Sequence, residues 1–179
     1  MRRISAEAGV SMGLINHHFH GIDALLAAAY ESLAKQLLSR SRDPALAVAG
    51  EPLESLHAFF AASFGPEALD PALFRTWLVF WSLVPHSPKL QAVRQRAYSE
   101  TRATLETLLS DLKRLPGVPA FKVGSAAIGL SALMDGLWVE LSLNPLSFAP
   151  WEAVSLCDDW VQGLAAGAFP ALQASKRRK

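Results

Sequence analysis

Apolar residues along this chain recur at three- and four-residue steps, as they do in helices that bury one face. Leu25, Leu26, Ala29, Leu33 and Leu37 form one such stripe, which predicts a helix from near Gly21 or Asp23 to about Ser41. No segment alternates as a half-buried strand would, so the pattern predicts an all-α fold. Ahead of that helix two short ones are expected, at about 1–8 and 11–17. Asp43-Pro44 and Gly50-Glu51-Pro52 then bracket an expected loop, dividing a head with its connecting helix (1–43) from a helical body (51–170) and a basic tail (171–179). Within the body, breakers and caps mark helices at about 53–64, 70–84, 88–115, 120–143 and 150–167.

The segment Ala8-Gly9-Val10-Ser11-Met12-Gly13-Leu14-Ile15-Asn16-His17-His18-Phe19 carries the densest local signal. Gly9 can take a positive φ and Ser11 can accept the first free N–H groups of the next helix, so the two short helices meet at a steep angle. Such a helix-turn-helix reads the DNA major groove. Ser11, Met12 and Asn16 are then the candidates for base edges, Asn16 above all because its amide can bond an adenine twice. Gly13 permits close approach, while Arg2, Arg3, His17 and His18 are candidate phosphate contacts. The structural alternative for His18 and Phe19 is that they close the head's small core, and for Phe19 it is preferred. A metal site at His17, His18 and His20 is not expected, since adjacent side chains splay around a helix and no carboxylate is spaced to join them.

Charge complicates this picture. The net charge is only +1, and no Lys or Arg lies between Arg3 and Lys35, where Glu7, Asp23 and Glu31 are acidic. Non-specific DNA affinity rests on neutralised phosphates, so the grip must come from Arg2, Arg3, backbone N–H groups, imidazoles, or residues outside this sequence. Hydrophobic residues make up 51% and charged ones 18%, an oily composition consistent with an apolar interface between copies. The single cysteine, Cys157, excludes an internal disulfide and a zinc site built on several thiolates, and Asp158-Asp159 beside it discourages its thiolate. No signal sequence and no uninterrupted apolar run of membrane-spanning length is read, so a cytoplasmic protein without a membrane partner is expected. Nor is there a nucleophile with a base, a pair of catalytic carboxylates or a glycine-rich phosphate cradle. Neither an enzyme nor a cofactor is expected.

The body offers one constellation with chemistry in it. Phe74, Trp77 and Trp81 share a helical face, and Trp138 follows Asp135 by one turn on another helix. Such a stripe serves ordinary cores, yet with Tyr98 these residues supply the parts of an aromatic cage. Indole faces attract an organic cation and the Asp135 carboxylate would oppose its charge. The last two helices carry small residues, Ala126, Ala127, Gly129, Ala132 and Gly136, then Ala153, Gly163 and Ala166. Small residues let helices approach closely, within one chain or between two.

The head resembles the TetR family of bacterial regulators in Ile4-Ser5, Ala8-Gly9-Val10-Ser11, Gly13 and His17-His18-Phe19. The body is similar to its BetI-like branch in Trp77-Leu78-Val79-Phe80-Trp81, His86-Ser87-Pro88-Lys89-Leu90, Gly129-Leu130, Ala132-Leu133 and Met134-Asp135-Gly136-Leu137-Trp138. The resemblance implies a repressor that binds double-stranded operator DNA and is released by a small effector. That effector would be choline-like or another amphipathic cation, held by Trp77, Trp81, Tyr98, Asp135 and Trp138. It also implies a homodimer through the last two helices. Three departures stand out: the family's helix and basic arm ahead of Ile4 are missing, His17 replaces a usual Tyr, and Ile22 replaces a usual Lys. They predict a head loosely ordered or docked on the body, and leave as an alternative a ligand-binding homodimer that has lost DNA binding.

Overall fold

The computed structural model describes residues 2–48 and 50–173. Its order is α1 (Arg2–Glu7), α2 (Met12–Phe19), α3 (Ile22–Ala47), α4 (Pro52–Ser63), α5 (Pro71–Leu83), α6 (Pro88–Lys113), α7 (Val123–Leu143) and α8 (Pro150–Ala165). Short 3-10 turns follow α5 at Val84–His86 and close the described chain at Pro170–Leu172. The expected basic tail lies beyond the described residues, apart from 171–173.

Local chemistry sets most boundaries. The Ser11 hydroxyl accepts from Leu14 N at 3.1 Å, Asp70 caps α5 by accepting from Ala72 N at 2.6 Å, and Ser87 caps α6 through Leu90 N at 3.4 Å. Gly9 takes φ +64 in the turn between α1 and α2, as that turn requires.

One boundary differs from expectation. α3 runs straight through Asp43-Pro44 to Ala47, where a loop was predicted from about Ser41. Proline forfeits one helical hydrogen bond there. Burial outweighs it: Ala45 is 1% exposed within the core and Ser41 is 7% exposed, joined to α4 by the Ser63 hydroxyl at 3.0 Å.

The body's main core is shared by α4, α6, α7 and α8, around Phe59, Phe60, Leu105, Leu109, Leu112, Leu130, Val161 and Leu164. A second cluster, Tyr30, Phe80, Leu90 and Val93 with Trp77 packed on it, ties α3 to α5 and α6. α3 therefore touches both cores. The head does not: it packs on α3, and Ile15 is its one buried side chain among the described residues. Both head helices form and are seated on α3, where a head loosely ordered or docked on the body was predicted. Ile4, Val10, Met12, Leu14 and Ile22 stay 36–46% exposed.

By length and composition alone α7 is long and apolar enough to cross a membrane, but, as expected, it is not an uninterrupted apolar run. Asp135 and Glu140 interrupt it, and Ala126, Ala127, Leu130 and Leu141 bury one side of it among its neighbours. A second side remains open.

Candidate ligand cavity and DNA-facing helix

α5, α6 and α7 converge on a cavity of about 580 Å³, closed on its other sides by α3, the end of α4 and the loop at 64–68. Trp77 and Trp81 come from α5, Tyr98 from α6, Asp135 and Trp138 from α7; all five predicted ligand residues line it. The spacing of the tryptophans on α5 and the one-turn step from Asp135 to Trp138 put each pair on one helical face. The lining is mostly apolar, with Leu37, Leu38, Phe59, Phe64 and Met134 facing the aromatic side. Arg40 and Glu67, paired at 3.2 Å, are its exposed charged rim.

The aromatic side is a packed wall. Trp77 meets Trp81 and Trp138 edge-to-face at 6.4 Å each, and meets Tyr30 of α3 the same way at 5.2 Å. Tyr30 in turn stacks on Phe80 at 4.7 Å. Trp138 spends its indole N–H on the Ala68 carbonyl at 2.8 Å, which holds the 64–68 loop over the cavity. Trp81 Nε1 and the Tyr30 hydroxyl are both buried without completing a hydrogen bond.

Asp135 is the charged group inside. The Tyr98 hydroxyl donates to its Oδ2 at 3.1 Å, and among the described residues it forms no ion pair. Burial pushes its carboxyl above the ordinary value, only partly opposed by the Tyr98 hydrogen bond and the nearby Arg94 charge. Arg94 itself lies over the Tyr98 ring, 4.5 Å from its centroid. Burial and then the Asp135 charge push the Tyr98 phenol up to about 12, so it keeps its proton and stays a donor. The result is a desolvated carboxylate with one oxygen engaged and the other open, beside an aromatic wall.

The predicted DNA residues lie together on the head. Arg2 and Arg3 are on α1, Ser11 caps α2, and Met12, Gly13, Asn16, His17 and His18 are all on its exposed surface. His18 is thus no core residue, whereas Phe19 is half-buried and Ile15 fills the position that anchors α2 on α3.

The small-residue stripe divides. Ala126, Ala127 and Ala153 are fully buried inside the chain, and a side chain on Gly129 would meet the Trp160 ring at 3.3 Å. Those positions serve packing within the chain. Ser125, Ile128, Ala132, Gly136 and Leu143 instead form an exposed stripe along α7 at three- and four-residue steps, the last gap apart. On α8, Trp151, Ser155, Leu156, Asp159 and Gln162 are exposed as well, with Ala166 just past its end.

Sequence reasoning missed the far wall of the cavity. Leu37 was visible as part of the α3 stripe, but Phe59, Phe64 and the 64–68 loop come together only because α4 ends at Ser63, just ahead of Gly65-Pro66, while packed on α3.

The BetI-type transcriptional repressor C-terminal family matches residues 52–166. This chain belongs to the BetI-type branch of the TetR family of transcriptional regulators. The HTH-type transcriptional regulator BetI of Paraburkholderia phytofirmans is 30% identical over 158 residues, covering 88% of this chain and 78% of that protein. A solved structure described as a transcriptional regulator, from Pseudomonas aeruginosa PAO1, superposes with a TM-score of 0.90 at 44% identity, over 96% of this chain and 83% of the other. A second, from Rhodococcus sp. RHA1, gives 0.73 at 26% identity over 93% and 84%. In this BetI-type regulator, the cavity falls inside the matched family region except for its α3 wall. It is no enzyme: the family regulates transcription.

Proposed function

We propose that this BetI-type regulator is a homodimeric repressor that binds operator DNA through α2 and leaves it when an organic cation fills the cavity. The observation that carries this reading is the shared wall: the five residues of the candidate cation site surround a cavity bounded by α3, the same helix on which the reading helix α2 is seated. A ligand there bears directly on the support of the DNA-facing helix.

The geometry sets a scale. α3 is 26 residues long, about 39 Å at ~1.5 Å per residue. If the buried Ala45 acts as the pivot, Leu37 lies about 12 Å from it and Ile22 about 35 Å. A displacement of about 1 Å at the cavity then becomes about 3 Å at α2. Two reading helices must span half-sites about 34–36 Å apart, so a few ångströms in each protomer spoil simultaneous docking.

The dimer is supported by the exposed stripe of α7, where Ile128, Ala132, Gly136 and Leu143 stand beside Ser125 and Glu140, and by Trp151 and Leu156 exposed on α8, apolar area that an isolated chain leaves wet. Asn16, Met12 and Ser11 would read bases, with Arg2, Arg3, His17 and His18 on phosphates and Gly13 allowing the approach.

Gel shifts on DNA upstream of the regulator's own coding region test the reading. A specific shift that an effector weakens about 5- to 150-fold supports it. Ligand binding without any specific shift would favour the DNA-silent alternative, and a shift indifferent to every cavity ligand would refute the coupling.

A further inference from the structure

We infer that the effector is a bulky amphipathic amine whose protonated N–H donates to Asp135 and whose apolar body lies toward Leu37, Phe59 and Met134, so that choline is not the ligand this cavity is built for. This rests on the cavity being the effector site and names the chemical class of its occupant.

Size is the first ground. Choline has about seven non-hydrogen atoms, which at no more than the ~30 Å³ that a water takes in the liquid fill at most about 200 Å³. The cavity offers about 580 Å³. Cavities of roughly 300–1,000 Å³ take ligands of drug size. The remainder of this one is mostly apolar, with Leu37, Leu38, Phe59, Phe64 and Met134 beside the hydroxyls of Ser41, Ser63, Thr101 and Ser131, and on its apolar part each further buried methylene strengthens binding about fourfold.

The second ground is the carboxylate. Tyr98 occupies Oδ2 at 3.1 Å, leaving Oδ1 without a partner among the described residues. An ammonium with an N–H completes that acceptor with a charge-assisted hydrogen bond; a quaternary ammonium has no hydrogen to give. The third ground is the wall. Trp77 is already in edge-to-face contact with Tyr30, Trp81 and Trp138, so its surroundings resemble a packed partition more than an open box for a trimethylammonium head.

The test is a calorimetric titration of the whole chain with four probes below their micelle concentrations: choline, N,N-dimethyldodecylamine, dodecyltrimethylammonium and dodecanoate. The tertiary amine should bind tightest, at least about tenfold better than its quaternary analogue, as expected for a hydrogen bond to a charged group. Choline should be weaker than either by more than a hundredfold, and dodecanoate should not compete. In Asp135→Asn the amine's advantage over the quaternary probe should vanish while the helical circular dichroism is kept. Leu37→Trp, which fills the apolar end, should weaken both twelve-carbon cations and leave the weak binding of choline unchanged. A quaternary probe equal to the tertiary one, or choline binding tightest, overturns the inference while leaving the cavity an effector site. Absence of binding by all four probes overturns both. Binding that never alters the gel shift leaves the ligand class standing and removes the effector reading.

Discussion

Replacing Ile128 by aspartate tests the proposed dimer face with a magnitude that can be worked beforehand. Ile128 is 51% exposed in the single chain, so about half of the ~1.5–3 kcal/mol gained on burying such a side chain, about 1 kcal/mol, remains for a partner. A two-fold axis presents every substitution twice. Aspartate also leaves two desolvated carboxylates without partners, at about 1–3 kcal/mol each. The total is about 4–8 kcal/mol per dimer, three to six powers of ten in the dissociation constant. A nanomolar dimer would become a monomer at micromolar concentration, measured by sedimentation velocity or light scattering. Leu53→Asp is the control: Leu53 is 46% exposed but sits on α4, away from the stripe, and its change should leave the mass unaltered. An Ile128→Asp variant that keeps the parental mass, or a parent that is already monomeric, would refute the assignment of this face.

Three further outcomes follow from buried polar groups. The Asp135 carboxyl lies above its ordinary 3.8 when folded, so between that value and the raised one the folded chain holds a proton that the unfolded chain has released. Its contribution therefore favours folding at low pH and is lost as pH rises through the folded value. Asp135→Asn should accordingly be more stable than the parent at neutral pH without ligand, with the gap closing toward pH 4 in thermal melts; a gap independent of pH contradicts this. Tyr30→Phe removes a buried hydroxyl that neighbours the Trp81 indole N–H without forming a well-aligned hydrogen bond, and should be neutral or stabilising by up to about 1–2 kcal/mol in urea unfolding, whereas a loss beyond about 1 kcal/mol would show that the Tyr30–Trp81 contact is a full bond. Cys157 is fully buried and its thiol is pushed up to about 12, by burial first and by Asp158 second. It should resist Ellman's reagent at pH 8 until the protein is unfolded, and rapid labelling of the native chain would contradict that burial.

Helix identity was legible because each helix carries its own punctuation: Ser11, Asp70 and Ser87 cap where their spacing says they should. Pro44 misled for a tertiary reason. Its local cost is fixed by the chain, but Ala45 and Ser41 are held in the core and against Ser63, contacts made with residues from α4 and beyond. The candidate cation site was readable as residue types at helical spacing, since Trp77 and Trp81, or Asp135 and Trp138, must share a face whatever surrounds them. What the spacing did not contain was the depth of the cavity. That depends on where α4 stops and on Trp138 fastening the Ala68 carbonyl, a contact between positions 70 residues apart. The small-residue stripe was ambiguous for a related reason: Gly129 and Ala132 look alike in sequence, and only the position of the Trp160 ring assigns one inward and leaves the other outward.

In the proposed mechanism α3 is the element on which sensing and reading meet, and its attachments are unequal. Toward its C-terminus Ala45 is embedded in the main core and Ser41 is hydrogen-bonded to α4, which makes that end the fixed one. At its middle Tyr30 is fully buried against Phe80 and Trp77, yet its hydroxyl and the neighbouring Trp81 Nε1 go unsatisfied. A buried seam with unspent polar groups is less favourable than one fully paired, so a second arrangement of the same rings need not lie far above it in energy. A ligand that touches Trp77 and Trp81 acts on that seam at the point where differential contacts between two arrangements are cheapest to create. Toward its N-terminus α3 carries α2, seated through Ile15, and packs Leu26 and Ala27 against the second cluster rather than the main core. A fixed end, a marginal seam and a lightly held end are together sufficient for a cavity filled with an amine to change the spacing of two reading helices without unfolding either core.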